Sequence, residues 1–195
     1  MDFQDVVRRR RMVRNFAERP LDPAHVERIL ENARRGPSAG FSQGFEFLVL
    51  ESREERDRFW TSQDPGAPLP RMYEDMRRAP LLVAALSHKQ AYLDRYAEPD
   101  KGWTDKDEAH WPVPYWDIDA GMAALLMLLT AVDLGLGAVF FGIFDMAGFR
   151  AAFGVPDTHT AVGVVAVGHP APDTKSPSLR RGRRPATDVV HRGRW

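Results

Sequence analysis

The sequence predicts an α+β domain in which layers of helix surround a mixed β-sheet. Short apolar, β-branched runs alternate along the chain with segments of helical periodicity. One predicted helix, over residues 117–134, is apolar nearly all round, and such a helix is normally buried. The chain has 195 residues, 44% of them hydrophobic, with no internal repeat and no low-complexity linker. We therefore expect residues 1–195 to form one domain with a real core.

Local patterns predict the elements in order. Phe3, Val6 and Val7 lie at helical spacing and indicate a short first helix. Asp22 as N-cap and Pro23 at the first helical position begin a second helix over residues 22–35. Further helices are predicted over 54–60, 117–134 and 146–153, and strands over 45–50, 81–86, 138–141 and 161–167.

Two segments show neither the periodicity of a helix nor that of a strand. Residues 87–116 are polar, aromatic and proline-containing, and we interpret them as an aromatic lid that carries a short helix. Residues from about 170 to 195 read as an extended basic tail. Because this tail is too polar to hold itself in place, we expect it to wrap another surface, such as a second subunit.

Composition excludes several classes of function. The net charge is zero, so no overall field favours nucleic acid or an anionic membrane. Cysteine is absent, which excludes disulfides, thiolate metal sites and a cysteine nucleophile. None of the six histidines forms a helical pair with another His or Glu, so we predict no metal site.

The acidic N-terminus lacks a signal core, and the apolar run over 120–132 is too short to span a bilayer. We expect a cytoplasmic protein.

Nine arginines are concentrated in two tracts, residues 8–14 and 180–184. Guanidinium groups match phosphate oxygens bidentately. The alternative for the first tract is a solvated basic face or an RNA contact. The alternative for the second is a disordered basic tail, although Val189, Val190, His191 and Trp195 look like anchoring residues.

The segment Gly36–Gly44 is rich in small residues, so its backbone amides can approach a ligand closely. An ordinary helix-to-strand turn would explain the same residues. However, this loop and the first arginine tract lie at opposite ends of one predicted helix. Together they suggest a site for a phosphorylated ligand.

Aromatic residues in the lid offer flat walls for a flat substrate. Trp103, Trp111 and Tyr115 are the candidates, and His88 and His110 could also face a substrate. The alternative is that these side chains simply cover the predicted core helix.

Taken together and in this order, these motifs resemble the FMN-dependent nitroreductase family over nearly the whole chain. The segments that carry the resemblance are Arg10-Arg11-Met12-Val13-Arg14-Asn15-Phe16, Pro37-Ser38-Ala39-Gly40-Phe41-Ser42-Gln43-Gly44-Phe45, Leu134-Gly135-Leu136-Gly137, Arg183-Arg184-Pro185 and Val189-Val190-His191. The resemblance implies an α/β/α sandwich, assembled as an intertwined homodimer with FMN at its interface.

The resemblance also implies roles for individual residues. The first tract would hold the FMN phosphate and ribityl chain, with a second contribution from the tail. The small-residue loop would line the flavin from the partner subunit, and a backbone N–H near Gly142 would face flavin N5. No side chain is predicted to be catalytic. The implied cofactor-binding residues are Arg10, Arg11, Met12, Arg14, Pro37, Ser38, Ala39, Gly40, Phe140, Phe141, Gly142, Ile143, Arg181 and Arg183, and the implied substrate-facing residues are Phe41, Trp103, Trp111 and Tyr115.

Three positions depart from the family pattern. Met12 stands where the family has Ser, Phe41 replaces the loop Asn, and Gly44-Phe45 replaces Pro-Trp. One hydroxyl contact to phosphate is therefore lost. A phenylalanine in this loop also resembles the pattern of the flavin-cleaving branch of the family, whose members make dimethylbenzimidazole.

The resemblance implies an oxidoreductase that moves a hydride from NADH or NADPH through FMN to a nitroaromatic, a quinone or another conjugated acceptor, in ping-pong order. Two alternatives remain open from the sequence. One is a specialised flavin enzyme that cleaves flavin or removes halide reductively. The other is a non-catalytic protein that binds a nucleotide or nucleic acid through its arginines.

Overall fold

The computed structural model describes residues 1–63, 71–172 and 176–195, and of residues 71–73 it describes the backbone alone. Residues 173–175 of the predicted tail therefore lie outside the described residues. In the described part, four strands and seven helices form. The strands are β1 (Phe45–Leu50), β2 (Leu81–His88), β3 (Gly137–Phe141) and β4 (His159–Gly168). The helices are α1 (Phe3–Arg9), α2 (Pro23–Ala33), α3 (Arg53–Ser62), α4 (Arg71–Met76), α5 (Lys89–Tyr96), α6 (Tyr115–Asp133) and α7 (Met146–Phe153).

The strands form one sheet in the order β1-β2-β4-β3, and each neighbouring pair is antiparallel. On the outer edge of β3, Met12 forms an isolated parallel bridge with Ala138. The predicted sheet flanked by helices is confirmed. Within the described residues its mixed character comes from that bridge, because the four strands themselves pair antiparallel.

We call one end of the sheet the loop end, because the small-residue loop enters β1 there. Here β1 begins at Phe45 and β4 begins at His159, while β2 finishes at His88 and β3 at Phe141. His88 lies directly opposite His159, whereas Phe141 lies opposite Val164. Strand β4 therefore extends beyond β3 at this end.

Local signals account for several element boundaries. Asp22 accepts a hydrogen bond from the N–H of Ala24 at 2.9 Å, which confirms it as the N-cap of α2. Strand β1 and helix α7 have the predicted bounds, and α7 ends where Gly154 adopts a φ of 64°. Helix α5 is the predicted short helix of the lid. Helix α4 was not predicted.

Two apolar layers cover the two faces of the sheet. On one face, Phe59 and Trp60 of α3 and Phe149 of α7 are essentially inaccessible to solvent. On the other face, Ile29 of α2 and Met127 of α6 are completely buried. Burying such side chains stabilises the fold by about 1.5–3 kcal/mol each. The sheet is thereby held between a layer of α3 and α7 and a layer of α2 and α6.

Helix α6 is the longest element, with 19 residues. It is longer than the run singled out in the sequence, and by length and composition alone it could cross a membrane. Half of its apolar window is buried within the fold. It packs against α2 and against the sheet. The prediction of a buried core helix is therefore confirmed for the residues that face these elements, whereas Ile118 and Leu125 are exposed.

Candidate functional site

The first arginine tract lies along the outer edge of β3. Arg10 closes α1, since its N–H donates to the carbonyl of Val6 at 3.0 Å. Val13 then donates to the carbonyl of Ala138 at 2.9 Å. Gly137 makes this approach possible, because a Cβ there would lie 2.8 Å from Cγ1 of Val13. The segment from Arg10 to Arg14 is therefore fixed to the start of β3.

Arg10 and Arg11 of this segment carry charge that no carboxylate of the described residues neutralises. Within residues 1–63, 71–172 and 176–195, neither Arg10 nor Arg11 contacts a carboxylate, and Arg11 is exposed. Arg14 turns back on the segment, donating from Nη1 to the carbonyl of Met12 at 3.4 Å. Two neighbouring cations without acidic partners favour binding of an anionic group.

The backbone that follows the C-terminal end of β3 is accessible to solvent. Phe141 is held in place by stacking on Trp60, with ring centroids 5.5 Å apart and planes within 4°. Gly142 follows and is exposed, and a Cβ added there would meet no atom within 4 Å. Gly142 is four residues beyond Ala138, which corresponds to about 13 Å along a strand. The structure thus brings the segment 10–14 and Phe140–Ile143 to one edge of the sheet.

The small-residue loop is held by a buried carboxylate that the sequence did not single out. Asp119 of α6 is 2% exposed. Its Oδ2 accepts hydrogen bonds from the N–H of Ala39 and from the hydroxyl of Tyr92, both at 2.8 Å. Burial is the main cause that raises the pKa of Tyr92, with the hydrogen bond to Asp119 contributing, so the hydroxyl remains a donor.

Close contacts with α5 fix the rest of this loop. Gly40 has a φ of 61°, and a Cβ there would lie 2.6 Å from Cε2 of Tyr96. The carbonyl of Gly40 accepts from Nε of Arg95 at 3.0 Å. Phe41 also has a positive φ, 56°, and its side chain is 76% exposed. The loop therefore has a fixed base and projects one aromatic ring into solvent, while Pro37 is also exposed.

The two predicted halves of the cofactor site lie at opposite edges of the sheet within one chain. The loop leads directly into β1, whereas the arginine segment lies against β3. Three inter-strand spacings separate these edges, about 14 Å. The structure therefore does not bring Pro37, Ser38, Ala39 and Gly40 to the arginines of the same chain.

The aromatic lid residues pack on one another. The ring of Trp111 lies 4.5 Å from that of Tyr96, 5.5 Å from that of Trp103 and 5.7 Å from that of Tyr115. The predicted substrate residues Trp103, Trp111 and Tyr115 are thus brought into one cluster over α5. Their packing agrees with a covering role, and contact with a substrate stays a prediction. Tyr115 is the most exposed of the three.

The two candidate histidines have different surroundings. His110 stacks on Trp103 and lies 3.0 Å from Asp105, an arrangement that lowers the pKa of this carboxyl through the hydrogen bond. His88 lies at the end of β2, with its ring 4.3 Å from that of His159. The ring that His88 contacts is therefore that of His159, on β4, and not a ring of the lid cluster.

The tail begins beside the arginine segment. Ala171 donates to the carbonyl of Asn15 at 3.0 Å, and the side chain of Asn15 donates to the carbonyl of Pro172 at 2.7 Å. From residue 177 onward every residue is exposed, including Arg181 and Arg183. Two short 3₁₀ turns interrupt the predicted extended course, at Pro177–Arg181 and Ala186–Asp188.

Exposed apolar side chains recur along this tail. Leu179 is 68% exposed and Trp195 is fully exposed. Val189 and Val190, which the sequence indicated as anchors, are each about half exposed. A single chain therefore does not bury the predicted anchors.

Comparison with known proteins defines the class. A nitroreductase family protein of Clostridium difficile has a TM-score of 0.75 and 22% identity, with each chain fully covered. A protein of Desulfovibrio desulfuricans, provisionally named a nitroreductase and solved with FMN, has a TM-score of 0.73 and 22% identity, covering 100% of this chain and 98% of the other. The fold is therefore that of the nitroreductase-like α+β proteins.

The family itself follows from the sequence match. The model of the Nitroreductase family matches residues 7–169, so the chain belongs to this family of oxidoreductases. A protein of Methanothermobacter thermautotrophicus, provisionally named NADH dehydrogenase/NAD(P)H nitroreductase, is 27% identical over 100% of this chain and 88% of its own length. An NADPH-dependent oxidoreductase of Staphylococcus aureus is 24% identical over 98% of this chain and 73% of its own.

Proposed function

We propose that this protein is an FMN-dependent oxidoreductase that takes electrons from NADH or NADPH and delivers them to a nitroaromatic, a quinone or a similar conjugated acceptor. The observation that carries the proposal is the pair of guanidinium groups, Arg10 and Arg11, held at the edge of β3 with no carboxylate contact in the described residues. The family match and the FMN bound to the Desulfovibrio desulfuricans protein support the same conclusion. We place the protein in the cytoplasm as part of this proposal.

The residues present fit FMN. Its phosphate would be bound by Arg10, Arg11 and Arg14, and its ring would lie along Phe140–Ile143, where the backbone of Gly142 is open. Met12 offers no hydroxyl to the phosphate, so the guanidinium groups have to supply more of the binding energy.

Bound FMN would supply hydride exchange at N5, which is the chemistry that no side chain of this protein provides. The protein's task is to bind, orient and cover the reacting partners. Because one open face beside Gly142 would serve both substrates, the oxidised nicotinamide has to leave before the acceptor enters. This requirement gives ping-pong kinetics.

A second copy of the chain would complete the site. The loop Pro37–Gly40 cannot reach the arginines of its own chain, because three strand spacings separate them and Asp119 fixes its base. A two-fold dimer can bring the loop of one subunit to the arginine edge of the other.

Apolar residues on α1 and α6 offer a surface for that dimer. Phe3 and Val7, one turn apart on α1, are 64% and 47% exposed. Ile118 and Leu125, two turns apart on α6, are 41% and 46% exposed. The N-terminal amine pairs with Asp133 at 2.6 Å, which fixes the start of the chain, just before α1, to the end of α6. Exposed apolar surface of this kind is typical of an interface.

An absorbance spectrum of the purified protein tests the cofactor. We expect the bands of oxidised flavin, and heat release of the chromophore should yield FMN. A colourless protein that also fails to take up added FMN would refute the proposal. If that protein bound nucleic acid with strong salt dependence, the arginine tracts would instead serve as a nucleic-acid surface.

Steady-state turnover tests the reaction. We expect catalytic consumption of NADH or NADPH with a nitroaromatic or quinone acceptor, and parallel lines in double-reciprocal plots. Loss of flavin with formation of dimethylbenzimidazole, without acceptor turnover, would favour the flavin-cleaving alternative.

Deleting residues 180–195 is expected to weaken dimerisation at least tenfold and to lower flavin content, because the tail would supply both apolar anchors and Arg181 and Arg183. Analytical ultracentrifugation and flavin absorbance measure the two effects. A truncated protein that stays a flavin-loaded dimer would contradict the wrapping role.

A full-length control separates charge from wrapping. Replacing Arg180, Arg181, Arg183 and Arg184 with Gln keeps Leu179 and Trp195 in place. This variant should lose flavin affinity and remain dimeric.

A further inference from the structure

Three side chains with metal-binding atoms meet at the loop end of the sheet. Glu46 lies on β1, His88 at the end of β2 and His159 at the start of β4. His88 and His159 are direct cross-strand partners, and Glu46 pairs with Leu86, two residues before His88. Because side chains two residues apart on a strand point to the same face, all three side chains lie on the face covered by α3 and α7.

Their ligand atoms are close together. Nε2 of His159 lies 3.0 Å from Oε1 of Glu46, and Nδ1 of His88 lies 3.9 Å from the same oxygen. One ligand atom from each of the three residues lies within 4.8 Å of the other two. Two nitrogens and one oxygen at these separations can contact one ion after small side-chain rotations, since metal–ligand bonds of about 2.0–2.2 Å span such a triangle.

His159 is the buried member and its inner nitrogen has no hydrogen bond. Its side chain is 10% exposed, and Nδ1 lies 2.9 Å from the hydroxyl of Thr158. Nε2 is shielded from solvent and forms no hydrogen bond with the described residues, although the carboxylate of Glu46 is near. A buried nitrogen that faces a carboxylate oxygen at 3.0 Å without hydrogen-bond geometry is uncommon, and an ion between the two atoms would contact both.

We infer that Glu46, His88 and His159 bind one divalent transition-metal ion, of which Zn²⁺ is the representative. Two imidazoles and one carboxylate form a ligand set that such ions accept, with solvent completing the coordination. The two rings are now stacked with planes 25° apart, so binding requires them to open and direct both lone pairs at the ion. The partly exposed side chains of Glu46 and His88 leave a path from solvent.

None of these three residues is among those proposed to bind FMN. Phe141, at the end of β3, lies opposite Val164, which is five residues along β4 from His159. Five residues of strand correspond to roughly 16 Å. The ion would connect the ends of three adjacent strands and stabilise the folded state by mass action. The inference does not depend on FMN chemistry.

Zinc uptake by the full-length, flavin-loaded protein tests the inference. Equilibrium dialysis with elemental analysis should give one Zn²⁺ per chain at micromolar free metal. Glu46→Gln and His88→Ala should each weaken the affinity at least tenfold. Matched substitutions on α2, His25→Ala and Glu27→Gln, should leave it unchanged.

Thermal unfolding provides a second readout. Added Zn²⁺ should raise the Tm of the parent protein and of the α2 controls, but not that of the Glu46 and His88 variants. Absence of uptake at 50 µM Zn²⁺ would overturn the inference. Equal uptake by all variants would also overturn it, because the metal would then be an adventitious ion only.

Discussion

The double variant Arg10→Ala/Arg183→Ala is expected to lose its flavin while retaining its fold. Each guanidinium would donate charge-assisted hydrogen bonds to the FMN phosphate, worth about 1.5–3 kcal/mol each. Removing both should weaken FMN affinity on the order of 100-fold or more. Fluorescence titration of the apoprotein with FMN measures the affinity, and circular dichroism confirms the fold.

A matched control removes two arginines elsewhere. Arg28 on α2 and Arg53 on α3 are exposed, and Arg28→Ala/Arg53→Ala should keep wild-type flavin content. A yellow Arg10→Ala/Arg183→Ala protein with unchanged flavin content would show that the phosphate is bound elsewhere. The single variants Arg10→Ala and Arg183→Ala separate the contribution of the arginine segment to FMN affinity from that of the tail.

Asp119→Ala is expected to lower the free energy of unfolding by about 2–4 kcal/mol. The carboxylate accepts from the N–H of Ala39 and the hydroxyl of Tyr92, and its removal leaves buried donors without a partner. Urea unfolding followed by tryptophan fluorescence measures the loss. Release of the small-residue loop should also lower flavin content, even in protein that remains folded.

Asp133→Ala is the matched control on the same helix. Asp133 pairs with the N-terminal amine at the surface, and such pairs contribute about 0–1 kcal/mol. Asp119→Asn keeps one oxygen acceptor. Its loss in free energy of unfolding should therefore lie between the losses of Asp119→Ala and Asp133→Ala. If Asp119→Ala changed stability by less than 1 kcal/mol and left the flavin bound, the loop would be held by its contacts with α5 alone.

Elements with local signals could be predicted from the sequence. Helix α7 is one example, because Asp145 caps its start by accepting from the N–H of Gly148 and Gly154 ends it with a positive φ. Strand β1 is another, since a small-residue loop precedes a short apolar run. In both cases neighbouring residues determine the conformation. The order of such segments also carried the resemblance to the family.

Features that depend on residues far apart in the chain could not be predicted. Asp119 joins Ala39 and Tyr92 across 80 and 27 residues. The sequence does contain a signal for Asp119, because a carboxylate within an otherwise apolar helix requires a buried partner. The sequence does not show which residues those partners are. His88 and His159 become neighbours only through the register of β2 with β4, which shifts between Ala85 and Leu86.

The separation of the loop and the arginine segment to opposite edges of the sheet has a genetic consequence. In the proposed dimer, each site would combine arginines of one subunit with the loop of the other. A subunit defective at Arg10 and a subunit defective at Asp119 would form a mixed dimer. One of its two sites would combine both defects, and the other would have neither. Two inactive alleles of this protein would therefore complement each other in one cell.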